Sequence, residues 1–498
     1  MKRNCKRIFY AILYIIALIS FIGCSNNIKI PPEVSIPDYS DSGKSFDFFA
    51  YAAPTDGSYR IDGTIYNSGE DYRTVERYKE YKDAGMTMLM LRYENAYNGE
   101  PWETSNTKLC FENAYAAGID KILVTDNRLN ALIKPTLPFG DNAVFASEIE
   151  FEAFIAECLA VYKEMPGFYG VILVDEPDYE QIESYALVYK AIKKVLPDAY
   201  IHCNMAAMGQ DLIRKFDPSG AYDNVADAYR AMMRLFFEKS GAKEISFDSY
   251  PFKERGEGIK TNYYSNIKIM AEVCREYGAE LHTVAQTCWT LRNNSVFYRK
   301  VGKSEIYSQL NSYIGFGVTD ICYFTYFTKQ DNTTSTELFM DDGSFINRDG
   351  EKTEIYTHAQ KINAEFQAMA DVILSHSYNA SAMFTHMPSN YLTSTHTANF
   401  ENDALKLIET VETDNDIALV TELYDRTNDS YMYMVQNIVD PGYALEGRTE
   451  MNVSVQFDSS YRYVAVLDSG RLQYRELDDG LYQTVLSAGY AQYLIPLK

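Results

Sequence analysis

Two adjacent carboxylates and a proline, in Val174-Asp175-Glu176-Pro177, close the apolar run Tyr169-Gly170-Val171-Ile172-Leu173. Held by Pro177 at the end of a buried strand, Glu176 would sit partly desolvated beside Asp175. Both influences raise a carboxyl pKa toward the range of a general acid. The same residues also suit a plainer purpose: proline in the first turn of a helix, with Asp175, Glu176 and Asp178 around it, caps that helix and offsets its dipole. Other apolar runs end in comparable groups: Arg92-Tyr93-Glu94, Asp126-Asn127-Arg128, Asp248-Ser249-Tyr250-Pro251, Gln286-Thr287-Cys288-Trp289 and Phe324-Thr325-Tyr326-Phe327. If these ends share one rim, carboxylates from four strands meet there beside an arginine and several aromatic rings. Cleavage of a glycosidic bond needs two such carboxyl groups, one to protonate the leaving oxygen and one to attack or to activate water.

Glu176 is the expected catalytic acid, Asp248 its expected partner and Asp175 the third acid, with Asp126 the next choice of partner. An aspartate ending a strand can equally cap the turn that follows it. Arg92, Asp126, Tyr250, Gln286, Trp289, Tyr326 and Trp102 are the expected substrate-binding residues. Trp102 and Trp289 are the chain's two tryptophans. Flat aromatic faces bind the apolar C–H surface of sugar rings, although both rings could instead cap the core.

These residues need a scaffold that brings strand ends together, and the pattern of the chain supplies one. Apolar runs at Phe46–Pro54, Met86–Glu94, Lys121–Arg128, Tyr169–Glu176, Tyr200–Ala206, Glu244–Pro251, Leu281–Trp289 and Ile321–Phe327 are mostly continuous, as strands covered on both faces should be. Stretches of helical spacing lie between them, such as Ile182, Tyr185, Val188 and Ile192. Gly85, Gly118, Gly241, Gly278 and Gly317 stand just before strands, where a helix must end and the chain turn back. Alternating β and α elements predict an α/β fold, a (β/α)8 TIM barrel over residues 46–375. Residues 376–498 change pattern, with alternating runs and turns such as Asp468-Ser469-Gly470, and predict an antiparallel β-sandwich.

Acidic residues outnumber basic ones 69 to 46, for a net charge of −23. Such a surface repels phosphate backbones, so nucleic acid is not an expected partner, whereas a neutral sugar meets no such repulsion. Lys2 to Arg7 is basic, Ile8 to Ile22 apolar, and Gly23-Cys24 follows. This predicts an export leader over 1–23, with a tether over 24–45. The Phe21-Ile22-Gly23-Cys24 end resembles a bacterial lipoprotein cleavage site, which implies lipid on Cys24 and a place at the outer face of the cell membrane. Cys110, Cys158, Cys203, Cys274, Cys288 and Cys322 are scattered and read as mostly buried thiols. Neither cysteine nor histidine spacing suggests a metal, and no cofactor is expected.

Eight β/α units, a glutamate ending strand four, aromatic residues ending strands seven and eight, and a C-terminal β-sandwich together resemble the clan of (β/α)8 glycoside hydrolases, and loosely the family 42 β-galactosidases. The resemblance implies a carbohydrate substrate and Glu176 as acid/base. Two positions depart from the clan: Asp175 stands where it has asparagine, and Gln286 where its nucleophilic glutamate ends strand seven. A glutamine cannot act as a carboxylate nucleophile. Two functions therefore compete: a surface glycoside hydrolase, and a carbohydrate-binding lipoprotein without chemistry. An acyl hydrolase has little support, because no G-x-S-x-G elbow occurs.

Overall fold

The computed structural model describes residues 34–61, 64–254, 259–293, 295–328, 337–385, 400–414, 417–442 and 450–498. The expected leader and the lipid-acceptor Cys24 lie outside the described residues.

Each of the eight apolar runs overlaps a strand, with β4, β7 and β8 starting one to three residues ahead of their runs: β1 (Asp47–Ala50), β2 (Leu89–Leu91), β3 (Ile122–Thr125), β4 (Phe168–Asp175), β5 (Tyr200–Met205), β6 (Glu244–Asp248), β7 (Glu280–Gln286) and β8 (Val318–Phe324). A principal helix follows each: α1 (Val75–Asp83), α2 (Asn106–Ala116), α3 (Glu148–Ala160), α4 (Ile182–Val195), α5 (Val225–Ser240), α6 (Tyr263–Tyr277), α7 (Lys303–Gly315) and α8 (Glu354–Gln367). The eight strands form one sheet in the order β1-β8-β7-β6-β5-β4-β3-β2, and their pairings are parallel. Phe48 O accepts from Thr87 N at 2.8 Å and Met88 N at 3.2 Å, which joins β1 to the start of β2 and closes the ring. The protein is a TIM barrel followed by a β-sandwich.

Alternation along the strands divides the core in two. Phe49, Met88, Met90, Leu123, Ile172, Tyr200, Val284 and Cys322 fill the lumen. Their neighbours Phe48, Leu89, Leu91, Val124, Val171, Ile201 and Ile321 pack outward against the helices. Gly241 and Gly278 end α5 and α6 with φ of 68° and 60°, a conformation that a Cβ disfavours. Gly170 has a different purpose: a Cβ there would lie 1.9 Å from Tyr200 O, so glycine lets β4 and β5 pair.

The C-terminal region comprises β9 (Ser377–Phe384), β10 (Ile408–Thr413), β11 (Ala418–Asp425), β12 (Ser430–Asn437), β13 (Glu450–Phe457), β14 (Tyr463–Asp468), β15 (Arg471–Glu476), β16 (Leu481–Ser487) and β17 (Ala491–Leu497). A six-stranded sheet, β9-β11-β12-β17-β14-β15, faces a three-stranded one, β10-β13-β16. Val420, Val435, Val453, Val455, Phe457 and Leu494 form the core between them. The other face of the larger sheet contributes Leu419, Leu423, Met434 and Ile495 to the barrel's own hydrophobic core. Gln436 reaches across the junction, accepting from Ser312 Oγ at 2.9 Å and donating to Ser308 O at 2.8 Å. This sandwich is packed on α7 as part of the body. The chain ahead of β1 is held there too, with Tyr39 buried and its hydroxyl 3.1 Å from Asp425 Oδ2.

Candidate active site

The barrel mouth is built by an irregularity in β4. Ile172 pairs with His202 and Asp175 with Asn204, so three residues on β4 span two on β5. Such a bulge exchanges the faces of the residues beyond it and re-aims a side chain. Asp175, which strict alternation from Ile172 would turn toward the helices, instead bonds to groups at the mouth. Its Oδ1 accepts from Tyr51 Oη at 3.2 Å and Asn204 Nδ2 at 3.1 Å, and its Oδ2 from Arg92 Nη2 at 3.1 Å. Three donors, one of them cationic, hold this carboxylate in place.

Glu176 follows with φ of 51°, a left-handed conformation uncommon outside glycine, and its N–H donates to Asn204 O at 2.7 Å. Its side chain meets that of Asp248, at the end of β6, in a hydrogen bond between two carboxyl groups. Asp248 Oδ2 also accepts from Asn204 Nδ2 at 3.2 Å. Burial raises the Asp248 carboxyl well above the aspartate range, and the charges of Glu176 and Asp175 add to it. Glu176 is raised as well, first by desolvation of its carboxyl against the wall and then by Asp175, while Asp248, Lys260 and Arg92 oppose the rise. Two carboxyls in contact cannot both ionise at ordinary cost, so they titrate as a coupled pair whose pKa values are raised together. Lys260 faces the pair, its ammonium pKa lowered by burial and partly restored by Asp248 and Glu176.

Aromatic rings surround these acids. Tyr250 stacks on Phe324 with centroids 5.7 Å apart and meets Tyr298 edge-on at 5.4 Å. Tyr51 packs against Phe324 at 5.6 Å, with the Arg92 guanidinium 5.1 Å above its ring. Among the residues singled out from sequence, Glu176, Asp175, Asp248, Arg92 and Tyr250 come together here. Trp289 is half-buried just past β7, its carbonyl accepting from Met340 N at 2.9 Å.

Four of the expected residues are engaged in other contacts. Asp126 is fully buried at 0% exposure and caps the short helix Asn127–Asn130, its carboxylate taken by Arg128 and by Tyr162 Oη at 2.9 Å. Gln286 Oε1 accepts from Phe252 N and its Nε2 donates to Phe252 O, both at 2.9 Å, so the amide ties β7 to the loop after β6. Tyr326 packs beneath the helices, with ring centroids 4.7 Å from Tyr81 and 5.5 Å from Phe345. Trp102 meets Tyr97 and Tyr162 edge-on at 5.3 and 5.4 Å, with its ring against the core. Gln286 is the last residue of β7, Asp126 and Tyr326 follow β3 and β8 by one and two residues, and Trp102 opens a short helix in the loop after β2; at such places partners elsewhere in the chain decide where a side chain points. Asn204, Tyr51 and Lys260 are site residues that sequence reasoning missed, and Phe324 was noted only as part of the aromatic end of strand eight. Asn204 carried a signal: His202 and Asn204 put polar groups at every second position of an otherwise apolar strand.

No protein-family model matches the chain, and no curated protein matches it. Solved structures do resemble it. A family 39 glycoside hydrolase from Bacteroides cellulosilyticus WH2 is 12% identical, with 93% of this chain and 82% of that one covered and a TM-score of 0.46. An Anoxybacillus α-amylase is 10% identical over 93% of this chain and 99% of its own, with a TM-score of 0.48. A family 5 glycoside hydrolase from Bacteroides vulgatus ATCC 8482 is 10% identical, with 93% of each chain covered and a TM-score of 0.46. These neighbours are glycoside hydrolases, and the likeness concerns the arrangement of elements alone.

Proposed function

We propose that the protein hydrolyses glycosidic bonds at the barrel mouth, with Glu176 and Asp248 as the reacting carboxyl groups. The carrying observation is that pair: the carboxyls of Glu176 and Asp248 meet at the mouth beside Asp175, which Arg92, Tyr51 and Asn204 hold in place, and burial raises the pKa of both. A protonated acid next to an ionised one is what breaking an acetal bond requires, one group to protonate the leaving oxygen and one to meet the positive charge at the sugar carbon. The contact is closer than either the roughly 5–5.5 Å of retaining or the roughly 6.5–9.5 Å of inverting glycosidases, so the two groups must part to admit a sugar, and retention, the outcome of the shorter spacing, needs the smaller movement. The Tyr250–Phe324 stack offers a flat apolar face to a sugar ring, and the net charge of −23 suits a neutral glycan better than a polyanion. In the same reading Cys24 carries a lipid anchor and the body lies outside the cytoplasm.

The deeper burial of Asp248 supports Asp248 as the proton donor and Glu176 as the charged partner, the reverse of the roles that the resemblance implies. One observation favours the competing reading of a binding protein: Gln286 ends β7 with its amide committed to Phe252. Incubation of the purified protein with a panel of glycans, with analysis of the products, decides between them. Cleavage by the wild-type protein that Glu176→Gln abolishes supports hydrolysis. Binding without any cleavage across the panel leaves a carbohydrate-binding protein.

A further inference from the structure

Asn204 lies on β5, between the strands that carry the two acids, and is 1% exposed. Four of its contacts converge on the site. Its Nδ2 donates to Asp175 Oδ1 at 3.1 Å and to Asp248 Oδ2 at 3.2 Å, its Oδ1 accepts from Ser246 Oγ at 3.2 Å, and its backbone O accepts the Glu176 N–H at 2.7 Å. The amide orientation follows from its partners, because two carboxylate oxygens need donors and only the NH2 supplies two. A flipped amide would set its oxygen against both acids.

We infer that Asn204 is a positioning residue that sets where the proton of the carboxyl pair resides, an inference resting on the proposed role of that pair. Occupied by Asn204, Asp248 Oδ2 is an acceptor, so a proton on Asp248 sits on the other oxygen and points to Glu176. The backbone bond meanwhile fixes Glu176 in its left-handed conformation, with its carboxyl over Asp248. One side chain thereby fixes the direction of the shared hydrogen bond and keeps Asp175 apart from it as a separate charge. Other charged or titratable groups facing the pair are Arg92 after β2, Lys260 after β6, and the hydroxyls of Tyr250, Tyr229, Tyr298 and Tyr313. None of them donates to Asp175 and Asp248 together in the bonds described above.

Carbon-13 NMR titration of Asp- and Glu-labelled protein tests this without any substrate. Asn204→Ala removes a donor to Asp248, and the upper midpoint of the pair is expected to rise by about one to two units, the size of a hydrogen bond to a charged group. Should Asn204→Ala not fold, the similarly sized Asn204→Leu removes the donor without adding a charge and is expected to shift the midpoint in the same direction. Ser246→Ala, which only frees the amide to turn, is expected to shift it less. A midpoint equal to wild type in the folded Asn204 variant overturns the inference. Turnover is read separately: if the wild-type protein cleaves no glycan, the proposed hydrolysis fails, while the titration still decides the role of Asn204.

Discussion

Gln286 and Phe252, 34 residues apart in the chain, exchange two hydrogen bonds of 2.9 Å between a side-chain amide and a backbone peptide. Gln286 Nε2 also reaches Arg299 O at 3.4 Å, while Gln309 clasps its backbone, accepting from Gln286 N at 2.7 Å and donating to Gln286 O at 3.0 Å. Gln286 is thus a structural clamp, with both ends of its amide engaged by backbone groups.

Replacing Gln286 with glutamate therefore restores no nucleophile. It swaps a donor for an acceptor opposite Phe252 O in a fully buried site. The expected loss is about 1–3 kcal/mol of unfolding free energy, with no gain in turnover. Urea denaturation beside a glycan assay reads both, and improved cleavage would show that the clamp masks a catalytic position.

Glu176→Gln and Asp248→Asn are each expected to lower turnover by about 10²–10⁴-fold, the contribution of a general acid or base. Azide separates their roles. The variant lacking the nucleophile should yield a glycosyl azide of inverted configuration, and the variant lacking the acid/base one of retained configuration. With Asp248 as donor, inversion is expected from the Glu176 variant; the opposite pattern exchanges the roles.

The raised carboxyl of Asp248 also has a sign in stability. A carboxyl whose folded pKa exceeds its unfolded value holds more protons folded than unfolded between the two, so stability falls as pH rises through that interval. For Asp248 the interval opens at the ordinary value of 3.8 and extends upward. Asp248→Asn is accordingly expected to be more stable than wild type at pH 8 and to lose that advantage near pH 4. Denaturation midpoints at the two pH values check this, and a variant less stable at pH 8 than at pH 4, relative to wild type, refutes it.

A second titrating group lies at the opposite end of the barrel. Burial raises Asp320 from 3.8 to about 6 despite the His282 ring, whose Nε2 is 3.2 Å from Asp320 Oδ2. His282 is itself raised by Asp320 and Glu280 against desolvation. The Asp320 contribution falls from about pH 4 to pH 6, and the stabilisation from charged His282 is lost as pH rises through its elevated pKa, so both weaken the fold toward alkaline pH. Two units correspond to about 3 kcal/mol. Asp320→Asn is expected to flatten the decline between pH 4 and 6, measured by denaturation across that range.

The two tryptophans separate structure from binding. Trp102→Ala, which empties the space between Tyr97 and Tyr162, is expected to cost about 2–4 kcal/mol of stability with little effect on glycan affinity. Trp289→Ala is expected to weaken glycan binding with a smaller change in stability. Calorimetric titration and thermal melting distinguish them, and equal losses of stability would make Trp289 a core residue.

Much of the scaffold is legible in the residues themselves. The eight runs from Phe46 to Phe327 each overlap a barrel strand, and Gly241 and Gly278 end helices as their positions foretold, because burial on both faces and a left-handed cap leave local marks on composition. Seven strands after Ser375 were equally visible, as apolar or alternating runs at 405–411, 417–424, 431–439, 452–457, 463–467, 471–477 and 490–496. β9 and β16 were not, since Ser377-Tyr378-Asn379 and Tyr482-Gln483-Thr484 break the apolar pattern where one face meets solvent.

What the sequence determined by itself was the α/β repeat, the sandwich, and the set of polar residues near the strand ends. Which of those residues meet was decided only in three dimensions. One extra residue in β4 turns Asp175 to the mouth. A contact across 44 residues joins Asn204 to Asp248, and one across 36 residues withdraws Asp126 to Tyr162. Strand periodicity is a local property that neighbouring residues encode, whereas the aim of a side chain past a strand end depends on partners far along the chain, which no local pattern records.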